Sequence, residues 1–127
     1  MKKLGIIGVA VLALGLGGCT KAYQAHPGSV NTFDSVSYDS VLVAHSVIES
    51  TKTDLANGVF PATIAPKVKT ALNDLVASYN IADSAYQAYH AAAVAGTATT
   101  SQANAVTSGL AQVGTATAAL TAAKAGK

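Results

Sequence analysis

The side chains able to do chemistry in this chain of 127 residues are few. It has one cysteine, Cys19, and three histidines, His26, His45 and His90. A single thiol excludes an internal disulfide and any Cys-x-x-Cys metal or redox motif. The histidines have neither His-x3-His nor His-Glu-x2-His spacing, so no local pattern offers two imidazoles to one metal ion. The acids Asp34, Asp39, Glu49, Asp54, Asp74 and Asp83 are dispersed, without the close pairing that general acid–base work by two carboxylates needs. Serine is common, but no Gly-x-Ser-x-Gly elbow surrounds one. The sequence therefore predicts a non-enzyme, with no catalytic residue, no metal site and no cofactor.

Tyr79, Tyr86 and Tyr89 allow two readings. They fall on about one side of a helical segment. They form either an aromatic surface for a glycan or peptide partner, or rings that fill a core between alanine-rich helices with their hydroxyls at the rim. The core reading is preferred, and Tyr38 can join the same cluster. His45 lies one turn from Val41 and Glu49 and reads as a boundary residue. His90 lies near a helix C-terminus, where a cation is favourable.

Charge narrows the partners. All eight basic residues are lysines, and the formal net charge is +2. Without Lys2 and Lys3 the balance is six lysines against six acids. A neutral domain without arginine does not suit nucleic acid, where phosphate contacts dominate affinity, and no polybasic membrane patch is present.

The basicity belongs to residues 1–18. Lys2 and Lys3 precede an uncharged run from Leu4 to Leu16, and small Gly17 and Gly18 follow. This is the tripartite plan of a secretory signal. The run would span about 20 Å as a helix, short of the roughly 30 Å hydrocarbon core of a bilayer. Leu16-Gly17-Gly18-Cys19 resembles the lipobox of bacterial lipoprotein precursors. The resemblance implies cleavage before Cys19, with a diacylglycerol on its thiol and an N-acyl chain on its amine. Two or three acyl chains, at about 0.8 kcal/mol per buried methylene, suffice for stable anchoring. Thr20, rather than Asp, follows the cysteine. By the same resemblance the chain goes to the periplasmic face of the outer membrane in a two-membrane host, and otherwise to the outer face of the cytoplasmic membrane.

Residues 19–32 read as the lipidated cysteine and a flexible tether, with His26-Pro27-Gly28-Ser29 breaking any helical period. Residues 33–127 read as a helical domain with helices over about 33–57, 64–95 and 100–124. In the first, Val41, Ile48 and Leu55 repeat at seven, and Val36, Val43 and Val47 widen the apolar side. Asn31 or Thr32 caps its start, and Asn57-Gly58 stops it. In the second, Val68, Leu75, Ala82 and Tyr89 repeat at seven beside Leu72, Tyr79, Tyr86 and Ala93, a coiled-coil-like seam. Thr63 is its expected N-cap, Pro66 fits its first turn and Gly96 ends it. In the third, Thr99 and Gln102 have capping-box spacing, and Val106, Leu110, Val113, Thr117 and Leu120 form the seam. Gly109 and Gly114, at about 1 kcal/mol each relative to Ala, make this helix the weakest and dependent on packing. Similar lengths and short connections predict an all-α antiparallel three-helix bundle: a long hairpin plus a weaker third helix.

The resulting expectation is a membrane-anchored envelope lipoprotein, a structural or interaction module whose thin core invites self-association or an envelope protein partner. Two alternatives accompany it. A lipidated N-terminus, helical body and Lys127 at the other end resemble in plan the murein lipoprotein family, which implies attachment to peptidoglycan through Lys127; that family is a continuous coiled coil, whereas this chain breaks at Gly58–Pro61 and Gly96. The other alternative is a module that binds a small ligand or metal between helices through Tyr79, Tyr86 or His90.

Overall fold

A computed structural model describes residues 27–127. Three helices account for most of them: α1 (Thr32–Ala56), α2 (Ala65–Val94) and α3 (Thr100–Lys124). Each boundary has a local cause. Asn31, in extended conformation, caps α1 by accepting from the Asp34 N–H at 2.8 Å. At the other end Gly58 takes φ +68°, which lets the Val59 N–H reach the Asp54 carbonyl at 3.0 Å. Thr99 and Gln102 close a reciprocal capping box on α3, and Lys124 stands in its last turn.

The start of α2 departs from expectation. Ile64, not Thr63, holds the N-cap position, and no side chain caps it. A tight turn does the work instead: the Pro61 carbonyl accepts from both the Ile64 and Ala65 N–H groups at 2.9 Å. Pro66 in the first turn then lacks only a donor that would have had no helical partner.

The pairing between helices fixes the topology. Asp34 meets His90, Tyr38 meets Tyr86 and His45 meets Tyr79, so α1 and α2 run antiparallel. Gly109 lies against Ala82, and Gly126 lies beside Ile64, so α2 and α3 also run antiparallel. The result is an up-down-up three-helix bundle. Its proximal end gathers the lead-in at residues 27–31, the end of α2 and the start of α3. Its distal end holds the 57–64 connection and Lys127.

The α2 seam faces inward as its spacing predicts: Val68, Leu72, Leu75, Ala82, Tyr86 and Tyr89 are buried. In α1 the row Val41, Ile48 and Leu55 turns inward, but Val43 does not; it is 47% exposed and Leu42 beside it 45%. The second inward row is Ser37, Ala44 and Thr51, again at a spacing of seven. Two of the three carry hydroxyls, and hydrophobicity does not mark them. The Thr51 hydroxyl donates back to the Val47 carbonyl at 2.8 Å, which satisfies it inside its own helix.

The closest helix pair is α2 with α3. Gly109 explains the approach. A Cβ placed there would stand 2.9 Å from the Ala82 Cα and 3.2 Å from its Cβ, so the two backbones meet where neither helix carries more than a methyl group. The composition of α3 makes it dependent on packing, and this contact, with Val106 and Leu120 fully buried, supplies the packing. Among the described residues no helix is long and apolar enough to cross a membrane.

Candidate functional site

The densest gathering of polar chemistry lies at the proximal end, built from the first turn of α1 and the last third of α2. Asp34 is the third residue of α1, a position where a carboxylate complements the helix dipole and can reach back to the preceding backbone. Its Oδ2 accepts from the Val30 N–H at 3.1 Å. From α2, His90 Nδ1 approaches Oδ2 at 2.8 Å and Oδ1 at 3.0 Å. An ionised carboxylate only accepts, so in this pairing Nδ1–H is the donor. Asp34 is fully buried, whereas a third of the His90 side chain is exposed.

Aromatic rings enclose this pair. Tyr86, one turn before His90, stacks on the imidazole with centroids 5.7 Å apart and planes 29° apart. Its phenol is pushed up to about 12, first by burial, then by the Asp34 charge, with a hydrogen bond to that carboxylate adding to the effect. Tyr38 packs edge-on against Tyr86 at 5.9 Å. On the neighbouring turn the Asn31 amide donates to the Tyr89 hydroxyl at 3.1 Å, and Phe33 packs edge-on against the same ring at 5.0 Å. Asn31 thus caps α1 with its oxygen and grips α2 with its nitrogen.

A histidine oriented by a buried carboxylate is half of a general-base arrangement, which would need a reacting group at Nε2. What the geometry accomplishes directly is fastening. The start of α1 and the chain leading into it are held to α2 by bonds that converge on Asp34, Asn31, His90 and Tyr89.

The sequence spacing does not reveal this cluster. Asp34 and His90 are 56 positions apart and read as isolated groups. Helix-end electrostatics explains His90 less well than its direct contact with Asp34. The signal that could have found the pair is topological: in antiparallel helices joined near residue 60, positions 34 and 90 stand at the same level.

The tyrosines resolve toward the core. Tyr86 and Tyr89 are buried, so the three rings do not form a shared exposed face for a glycan or peptide. Tyr79 is half-buried beside exposed His45, at 5.9 Å. Burial, and then the charge of Asp83, push its phenol up. Among the described residues no three His, Cys, Asp or Glu side chains come close enough to hold a metal ion. An open groove runs along α2 and α3 past Asp74, Ser78, Ala111, Gln112 and Thr115. Small side chains on both helices leave this depression, and spacing alone does not point to it. Lys127 is exposed at the distal end. Leu16, Gly17, Gly18, Cys19 and His26 lie outside the described residues.

Comparisons with protein-family models, curated proteins and solved structures return no match for this chain.

Proposed function

We propose that the chain is an envelope lipoprotein: a non-enzymatic helical module carried at a membrane by acyl chains on Cys19, where it serves as a structural or interaction element. The observation that carries this reading is the sequence Leu16-Gly17-Gly18-Cys19 behind a basic and then apolar leader. The fold is compatible with it. The chain from Cys19 reaches the bundle at the proximal end, where the Asp34 cluster grips α1, and the helices extend away from that end for roughly 37 Å at 1.5 Å per residue. Such a body presents its distal end at a distance from whatever holds its lead-in. The partner in this reading is a second copy or another envelope protein.

Mass spectrometry of the protein from its native host tests the anchor. The expected species begins at Cys19 and carries diacylglycerol and N-acyl mass, and Cys19→Ser leaves the chain unprocessed and without lipid. A mature chain without acyl mass at Cys19 would refute the proposal. Crosslinking in intact cells then identifies the partner, and recovery of monomer alone would remove the interaction role.

A second reading is favoured by one geometric fact. Gly126 lies beside Ile64, so Lys127 stands at the distal end, opposite the lead-in. An amine in that position suits attachment to a cell wall beyond the membrane surface. Wall fragments bearing the Lys127 peptide are the expected product, and their absence after enzymatic digestion of the wall rejects this reading.

A further inference from the structure

The three helices are not held to one another alike. The backbones of α2 and α3 meet at Gly109 and Ala82, and both helices supply large fully buried apolar groups, Val68 and Leu75 from α2, Val106 and Leu120 from α3. The inward face of α1 is different. It buries Asp34, Ser35, Ser37, Ser40 and Thr51 beside Val41, Ala44 and Ile48. Hydroxyl-bearing surface contributes little of the apolar burial that drives docking.

Hydrogen bonding shows the same asymmetry. The Ser40 hydroxyl donates to the Val36 carbonyl and the Thr51 hydroxyl to the Val47 carbonyl, each at 2.8 Å, so both bonds stay within α1. They survive if α1 leaves. Two bonds that cross to α2, from Asn31 to Tyr89 and from His90 to Asp34, lie at the first turn of α1 and its cap.

We propose that α1 is a strap, fastened at its proximal end by the Asp34–His90 latch, that opens as a unit while α2 and α3 remain folded against each other. Opening keeps the helix-internal hydroxyl bonds of α1. It breaks the latch and uncovers the side of α2 that carries Tyr79, Tyr86 and Tyr89. It also frees the lead-in chain from α2. Cooperative sub-global opening of this kind occurs where buried apolar contact is least, and α1 is the helix whose buried residues are mostly polar, five of eight, where those of α2 and α3 are apolar or glycine. The proposal does not depend on how the chain is anchored.

Hydrogen exchange read by mass spectrometry on the full chain tests it. Amides of residues 40–50 should exchange at least tenfold faster than those of residues 72–82 and 106–113. Asp34→Asn should raise the α1 rate at least a further tenfold while the other two segments change less than twofold. A common rate for all three helices in the unaltered chain overturns the proposal, as does equal acceleration of all three by Asp34→Asn. If Asp34→Asn does not fold, His90→Gln cuts the latch from its exposed side and is read by the same criteria.

Discussion

At the scale of single residues, buried Asp34 has two partners to lose. The His90 Nδ1–H and Val30 N–H donate to its carboxylate in a fully buried position. Asp34→Ala would leave these donors without their acceptor, and breaking one partner of a buried pair is costly. The expected loss is about 2–4 kcal/mol, read as a lower urea midpoint. A loss below about 0.5 kcal/mol would mean that water replaces the carboxylate without penalty. Tyr86 gives a separate test at alkaline pH. Its phenol titrates near 12 in the folded chain, against the ordinary value of 10. Below pH 10 both folded and unfolded states hold the proton. Between 10 and 12 the unfolded chain releases it first, so the unfolded state binds fewer protons and stability falls as pH rises. The decline through that window is on the order of 2 kcal/mol beyond that of a Tyr86→Phe variant, which cannot titrate there. Matching slopes for the two proteins between pH 10 and 12 would remove Tyr86 as the cause.

At the scale of elements, the two glycines of α3 should respond in opposite directions. A Cβ at Gly109 meets Ala82 backbone at 2.9 Å, whereas one at Gly114 meets nothing within 4 Å. Gly114→Ala therefore gains helix propensity alone, and should stabilise by about 0.5–1 kcal/mol. Gly109→Ala gains the same propensity but must push α2 and α3 apart, and overpacking of this kind costs about 1–3 kcal/mol. Thermal melting followed by circular dichroism should show a rise for the first and a fall for the second. A rise for both would mean that the bundle yields at Ala82. The pair also marks where sequence reading succeeds. Helix limits are written locally, in the Asn31 cap, the Thr99–Gln102 box and the stops at Gly58 and Gly96, so the expected spans agree with the observed helices to within one residue. Seams built from Val, Leu and Tyr are equally legible. The Ser37–Ala44–Thr51 row is not, because small and hydroxyl-bearing residues occur as readily on a solvated face. Gly109 likewise reads as a flaw in its helix until the helix that approaches it is known.

At the scale of the whole molecule, the candidate site depends on an arrangement that no local pattern contains. Asp34 and His90 become neighbours only because α1 and α2 fold back near residue 60 in a particular register. The same fold-back, repeated between α2 and α3, sends Lys127 to the distal end and leaves the lead-in at the proximal one. This yields a prediction about the complete bundle. In a Cys19→Ser background, spin labels at Val30→Cys and Ala125→Cys mark opposite ends. Their separation should be on the order of 35–40 Å, set by about 25 helical residues at 1.5 Å each. Labels at Thr63→Cys and Ala125→Cys mark the same end, where Gly126 lies beside Ile64, and should fall within about 20 Å with a narrow distribution. An α1–α2 hairpin carrying a loosely attached α3 would broaden both distributions, since residue 125 would wander relative to each partner. A narrow long distance together with a narrow short one requires α3 to be docked along its whole length. That places the burden on the Gly109 contact, and Gly109→Ala should therefore broaden both distances where Gly114→Ala leaves them unchanged.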